Sequence, residues 1–538
     1  MKCKMKTNTS SNHDGSATFV SKFGDQISGI LHGFDRLRLR GTLRSLYSHD
    51  VMEAYLNAQG ILIKDFGKFV EKTSAAVRAA AHAFAASWQR PVHHLNSSQF
   101  TKEEVARRIA QEDGVHEGLI AVLTAVEPCR SFRVVGNAAT KQIELRLEMR
   151  KCQHLYFYFE HKRFGFMHVR LQTWFPFQID ICLNGRHWLA KALDEEGIAY
   201  RKRENAIVWC ADLARAQALL EQQVHLPWRK ELDAVVELVH PLHEKIRRPL
   251  DLSYYWTVSD SEYATDVLFH RAEDLARIYP SLVHHALRSF SSPDVMRFLG
   301  RHVSRDGQIN SHFKGEIISD LKRRPEGVRV KHSLDGNSIK FYDKQETVLR
   351  VETTIPNADQ FMVYRKKTGA AAGDKKKWQR LRRSVADMGR RAEVCKASNA
   401  RYLQALAATS GSVPLFVWTK EACAPVRRRG QRARGLNPLS EKDAALMEAV
   451  NHGEFAINGF RNGDIRGLLY PAKAISPKVA RAQSAATRRR LLLLRAHGLI
   501  RKVGKSRRYV VTEKGRTTIT ALLSARRADV EQLTKLAA

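Results

Sequence analysis

Between residues 438 and 530 the hydrophobic pattern changes from helical to alternating and back, and few folds accept that order. Ser440–Asn451 reads as a helix, Phe455–Tyr470 carries a second, and Ser476-Pro477 opens a third that runs to His497. Gly498 closes it. Leu499–Val503, Gly504–Arg507 and Arg508–Thr512 then spell strand, turn and strand, and Glu513–Ala525 a closing helix. Residues 478–516 hold thirteen Lys and Arg against one acid, Glu513. Leu491 and Leu494 lie three apart and anchor the third helix, which leaves Thr487, Arg488, Arg489 and Arg490 for its polar side.

The basic bias extends to the whole chain, with 90 Lys and Arg against 55 Asp and Glu and a net charge of +35. Each phosphate neutralised by such a surface releases counterions, so the balance favours a polyanionic partner. DNA is the expected partner, with RNA as the alternative. The string Leu494-Arg-Ala-His-Gly-Leu-Ile500, followed by Tyr509-Val-Val-Thr-Glu-Lys-Gly515, resembles the end of the recognition helix and the wing of MarR- and PadR-type regulators. The resemblance implies a winged-helix DNA-binding domain over 438–530. Thr487, Arg488, Arg489 and Arg490 would then serve the groove, and Lys505, Arg507 and Arg508 the phosphate backbone or minor groove. The same fold also serves protein contacts, which is the competing reading.

A chain of 538 residues exceeds one hydrophobic core. The expected class is α+β and multidomain: a helical N-terminal region (1–98), an α/β unit with antiparallel strands (99–240), a helical segment (241–310), a β-hairpin region with basic helices (311–420), a basic linker (421–437) and the C-terminal winged helix. Asp50–Gln59 and Asp65–Gln89 are predicted helices. The second carries Phe66, Phe69, Val77, Phe84 and Trp88 on one stripe, read as core-facing, with a homodimer seam as the alternative. Thr101 and Glu104 form a capping box. Strands are predicted from Arg133 onward, at Ile143–Met149, His154–Phe159, Gly165–Thr173 and Phe177–Cys182. Asn184-Gly185 opens a helix that Gly197 ends, and Ser261–Phe269 and Pro280–Phe290 read as further helices. The seven cysteines form no CxxC pair, which excludes a zinc ribbon or a disulfide framework and points to a cytoplasmic, nucleoid-associated protein. No apolar run approaches the ~20 residues of a membrane span.

Asn337–Lys344 and Val348–Ile355 form a predicted hairpin with divided faces. Ile339, Phe341, Leu349, Val351 and Ile355 are apolar; Lys340, Tyr342, Lys344, Arg350 and Glu352 crowd the other face, as a solvated surface or a phosphodiester site. The strings Ile-Lys-Phe-Tyr-Asp-Lys and Leu-Arg-Val-Glu resemble the paired strands of rolling-circle replication initiators of plasmids and filamentous phages. That resemblance implies a metal-dependent nicking enzyme with Glu352 beside a divalent metal. Tyr364, which begins Tyr-Arg-Lys-Lys367, or Tyr342 would attack a DNA phosphate. The family's paired histidines are absent, since no His-x-His occurs in the chain, so further metal ligands stay unassigned. Binding alone requires no cofactor; nicking would require Mg or Mn.

Three lesser candidates complete the set. Glu262 and Asp266 would stand four apart on a helix, as a Mg ligand pair or a charged face. His168, Arg170 and Gln172 share one strand face. The aromatic run Tyr156–Phe159 could stack bases, which would suit an RNA-binding protein, or pack in a core. The leading expectation is a sequence-specific DNA-binding protein of bacterial or mobile-element type, acting in replication or regulation.

Overall fold

The computed structural model describes residues 15–96, 100–138, 141–301, 303, 313, 315–324, 327–367, 369, 373, 375–408, 420–428, 430–453, 455, 459–472, 474–504 and 506–527. They form a mixed α+β protein of two compact units built from interleaved stretches of chain. One comprises 29–266 and 352–396; the other comprises the chain through Ser28, 267–351 and 397–538.

In chain order the helices are α1 (Gly15–Phe23), α2 (His49–Asn57), α3 (Phe66–Ser87), α4 (Lys102–Glu112), α5 (Gly185–Glu195), α6 (Leu213–Val224), α7 (Trp228–Val239), α8 (His243–Arg247), α9 (Ala272–Ser289), α10 (Ser292–Phe298) and α11 (Met388–Leu406). The strands of the first unit are β1 (Ile27–Thr42), β2 (Val92–His94), β3 (Gly118–Asn137), β4 (Gln142–His161), β5 (Gly165–Gln172), β6 (Ile179–Asn184), the ribbon β7 (Tyr200–Arg203) and β8 (Ala206–Cys210), and β9 (Tyr255–Phe269). Their sheet runs β9-β1-β6-β5-β4-β3-β2, antiparallel from β1 to β3 and parallel between β3 and β2. Leu37 and Leu39 are buried, whereas Arg36, Arg38 and Arg40 alternate with them on the more open side. The buried face of α3 is Phe66, Val70, Ser74, Val77, Ala81 and Ala85. Of the expected stripe, Phe66 packs against Phe132, Phe69 against Phe175 and Phe84 against Phe157, with ring centroids 5.3–6.4 Å apart, whereas Trp88 is 45% exposed.

The sheet corrects several sequence expectations. β1 occupies 27–42, inside the region expected to be helical. β3 begins at Gly118, before Arg133, and the two strands expected at Ile143–Met149 and His154–Phe159 are one continuous β4. Ser261–Phe269 belongs to β9 and not to a helix; nearly all of it is buried on both faces, which erases the two-residue alternation that marks a half-exposed strand. Glu262 and Asp266 are therefore strand residues, and the helical i,i+4 pairing does not exist.

In the second unit, β10 (Ile317–Arg324), β11 (Gly327–Leu334), β12 (Asn337–Lys344) and β13 (Val348–Thr354, through Val351) are adjacent in that order. His332 of β11 bonds the Ser319 hydroxyl through Nδ1 (2.7 Å) and the Tyr402 hydroxyl through Nε2 (2.9 Å), and Phe290, Phe298 and Phe341 ring the same tyrosine. The polar face of the hairpin is not solvated: Tyr342, Lys344 and Arg350 are buried. Outside these sheets lie short ribbons, β14 (Met362–Arg365) with β15 (Lys377–Arg380), and β16 (Val426–Arg428) with β17 (Gln431–Ala433). The last ribbon replaces the unstructured linker expected at 421–437, and Arg434 beyond it forms a two-pronged bond to Asp443 at 2.7 Å on each side.

The C-terminal stretch contains α12 (Glu441–Val450), α13 (Asn462–Leu469), α14 (Pro477–Ala496), β18 (Ile500–Lys502), β19 (Tyr509–Val511) and α15 (Glu513–Arg527). The hydroxyl of Ser476 accepts from Val479 N at the start of α14, and Gly498 follows its end in the left-handed region at φ +71°. β18 pairs with β19, and a bridge from Phe460 to Tyr509 adds a third short extended segment. Met447, Val450, Phe460, Ile465, Leu491, Leu494, Ile500 and Ile519 close a single core beneath these elements. Among the described residues no helix is long and apolar enough to cross a membrane.

Burial holds His154, His168, His285 and His332 neutral, each lowered to about 4. An unfolded histidine titrates near 6.5, so between about pH 6.5 and 4 the unfolded chain binds more protons. Their contribution is complete above about pH 6.5 and is lost as the pH falls toward 4, on the order of 1.4 kcal/mol per histidine per pH unit. The urea midpoint is expected to be flat from pH 8 to 7 and to drop steeply below about 6.5. A midpoint unchanged at pH 4.5 would contradict these assignments.

Candidate functional site

A tight junction between α5 and the strands of the first unit sets the position of its most concentrated charge. Asn184 caps α5, its side-chain oxygen accepting from Arg186 N (2.9 Å) and His187 N (3.0 Å). The next residue has to be glycine: a Cβ on Gly185 would lie 1.9 Å from the Phe34 carbonyl oxygen. This close approach places Asp35 of β1 within reach of two amides. Asn205 donates to both its carboxylate oxygens (2.9 and 2.7 Å), and Asn184 donates to one at 3.3 Å. Arg186 enters the interior and pairs with Asp266 of β9 at 2.9 Å, both side chains 0% exposed.

Asp35, Glu262 and Glu352 converge on this ground. One carboxylate oxygen from each lies within 4.8 Å of the others, with Asp35 and Glu352 buried and Glu262 partly open. Arg36 reaches Glu262 at 2.9 Å and Asp260 at 3.1 Å. Burial opposes the charge on Arg36, but Glu262, Asp260 and Glu352 outweigh it and hold the guanidinium above its ordinary range. Behind the cluster Arg391 donates to Ser261 Oγ (3.1 Å) and to the Ile355 carbonyl (2.9 Å), fixing Ser261 beside Glu262 and Ile355 beyond the end of β13. Three carboxylates so close, two of them out of water, repel one another unless a proton or a cation lies between them. An all-oxygen set of this kind suits a hard divalent ion such as Mg or Mn.

Glu352 is thus one of three converging acids. Asp35 escaped sequence reasoning because β1 did; the alternation Leu37-Arg38-Leu39-Arg40 was its signal. The two candidate tyrosines fall in different units, Tyr364 in the same unit as the cluster. Tyr342 is in β12 of the second unit, buried, with Lys340 Nζ 5.7 Å from its ring centroid. Tyr364, in β14, is 52% exposed and faces Trp378 across the ribbon at 5.6 Å.

The His168, Arg170 and Gln172 face is an internal network. Arg170 bonds Glu127 (3.0 Å) and Asp180 (3.1 Å), Tyr156 donates to Glu127 (2.7 Å), and Gln172 is buried against backbone carbonyls. The His168 ring lies 4.9 Å from that of Tyr158. Tyr156, Phe157, Tyr158 and Phe159 are all buried, so none presents a face to a base.

The second unit holds the second charged feature. On α14, Thr487, Leu491 and Leu494 are buried, and the Thr487 hydroxyl donates to the Gln483 carbonyl at 2.9 Å. The placing of Thr487 on the polar side is therefore corrected: it shares the core-facing stripe with the two leucines, four and seven residues on. Lys478, Arg481, Ala482, Ala485, Arg488, Arg489 and Leu492 form the exposed stripe. Lys478 and Arg481 were missed; counting back three to four and seven from Arg488 would have found Arg481 and its neighbours. Arg490 turns toward the Tyr470 ring, 5.9 Å from its centroid. Arg507 is exposed, Arg508 donates to the Gly459 carbonyl at 3.3 Å, and Lys505 lies outside the described residues.

Comparison of the chain with protein-family models, with curated proteins and with solved structures gave no match.

The cluster predicts metal-linked stability. Titration with Mn²⁺ is expected to raise the thermal midpoint of the full chain, since a ligand that binds only the folded state stabilises it. The rise should vanish in Glu352→Gln and in Asp35→Asn. An equal rise in wild type and both variants would remove the metal assignment.

Proposed function

We propose that this chain is a sequence-specific DNA-binding protein whose residues 438–530 act as a winged helix. The observation that carries the reading is the exposed stripe of α14. Cationic residues Lys478, Arg481, Arg488 and Arg489 flank the small Ala482 and Ala485, so the helix backbone can approach a partner closely while the arginines reach past it. A helix in the major groove uses this arrangement: arginine can bond guanine in two-pronged fashion, and alanine can meet a thymine methyl. The strand pair after α14 carries Arg507 at its tip, suited to backbone phosphate. The order of helices and strands, with the Phe460–Tyr509 bridge, supports the same fold.

Selection of binding sites from random duplexes, followed by gel retardation, tests it. Arg488→Ala and Arg481→Ala are expected to cost about 1–3 kcal/mol of discrimination between the selected site and a mismatched one. Arg507→Ala should instead weaken all duplexes alike and lower the salt slope by about one. Unchanged discrimination in the double variant Arg481→Ala/Arg488→Ala would end the reading, and preference for RNA over duplex DNA would redirect it.

The convergence of Asp35, Glu262 and Glu352 favours a second activity, metal-dependent nicking of DNA. A divalent ion there would neutralise charge building on a scissile phosphate. Tyr364 is the nucleophile candidate open to solvent. Supercoiled plasmid with Mn²⁺ should be nicked by the wild type, with a covalent protein–DNA adduct that Tyr364→Phe lacks and no nicking by Glu352→Gln. No nicking across varied sites and metals would reject this activity and leave the DNA-binding proposal intact.

A further inference from the structure

The second unit holds an open-sided cavity of about 430 Å³, within the range of about 300–1,000 Å³ usual for small-molecule pockets. Besides Arg527, which pairs with Glu448, three arginines from three helices line it: Arg288 of α9, Arg401 of α11 and Arg516 of α15. None forms an ion pair among the described residues. Arg401 spends Nε and Nη2 on the Phe298 carbonyl (3.3 and 2.8 Å) and Ser398 Oγ (3.0 Å), which leaves Nη1 without an acceptor among the described residues. The Arg516 guanidinium has no acceptor among the described residues. Burial lowers Arg401 to about 10 and lowers Arg516 as well, Glu513 offsetting only part of the second effect.

The acids at this cavity are already engaged. Asp294 accepts from Ser291 N (2.9 Å), Ser291 Oγ (2.6 Å) and Arg297 (3.3 Å), and Glu448 pairs with Arg527 at 3.3 Å. His452 also borders the cavity, and its Nδ1 is buried with no hydrogen-bond partner. Part of the lining is apolar, with Phe290, Val511 and Leu523. A partly desolvated set of cations without counterions calls for an anion, and the apolar wall calls for an organic body attached to it.

We infer that this cavity binds a small phosphomonoester of mononucleotide size, its phosphate held by Arg401 and Arg516 and its ring system against the apolar wall. The site is separate from the α14 stripe and does not depend on the DNA-binding proposal.

Calorimetric titration of the full chain with AMP and with inorganic phosphate tests it. Saturable one-to-one binding of AMP is expected. Arg516→Gln should weaken it about tenfold or more, as loss of a charge-assisted hydrogen bond does, and Arg516→Lys, which keeps the charge but not the planar fork, should weaken it less. Arg488→Gln should leave it unchanged. Matching circular dichroism and thermal midpoints show that the variants remain folded. AMP binding tighter than phosphate assigns the site to the whole phosphomonoester, and equal affinity assigns it to the phosphate group. Absence of saturable binding by both probes overturns the proposal. So does weakening by Arg488→Gln with none by Arg516→Gln.

Discussion

The buried Arg186–Asp266 pair is the contact around which the first unit is organised. Two ions removed from water cost several kcal/mol each, and their attraction offsets this only when geometry and further hydrogen bonds are good. Here Arg186 Nη2 also reaches the Ala264 carbonyl at 3.4 Å, while Nε and Nη1 are buried without a hydrogen-bond partner among the described residues. Gly33 leaves the side chain room, since a Cβ there would come within 3.0 Å of Nη1. The pair ties α5 to β9, while Gly185 brings the start of the same helix onto β1. The two strands that carry Asp35 and Glu262 are thereby held by one helix turn, and Asn184, at its cap, spends its remaining amide on Asp35. Secondary structure, packing and the charged cluster share the same few residues.

The two charged features solve different electrostatic problems. The carboxylates of the first unit are concentrated and mostly buried, with Asp35 held by two amides and Glu262 by Arg36. The α14 stripe is dispersed and exposed, so its pull on a polyanion is long-ranged and salt-sensitive. The arginines of the cavity in the second unit stand between these extremes, partly desolvated yet reachable.

Local chemistry was legible in the sequence wherever a segment is half-exposed or explicitly capped. The Thr101–Glu104 box, the Asn184-Gly185 start of α5 and the Gly498 stop of α14 all stand where the residues placed them. Legibility failed where burial is two-sided. Residues 261–269 lost their alternation inside the sheet, and the carboxylate spacing of Glu262 and Asp266 then imitated a helix. On the hairpin the alternation of faces was readable, but not the fact that both faces are covered, because what covers a strand is remote in sequence. Thr487 shows the same limit on a helix: a threonine beside three arginines looks polar, and only the leucines at four and seven residues fix it inside.

The carboxylate cluster draws its members from positions 35, 262 and 352. No local segment contains two of them, and the first and last are separated by more than half of the chain. Contacts that close such long loops form late and slowly in folding. Pairing of β9 with β1 brings Asp35 and Glu262 together across more than two hundred residues, and Glu352 joins them only through a further long-range contact.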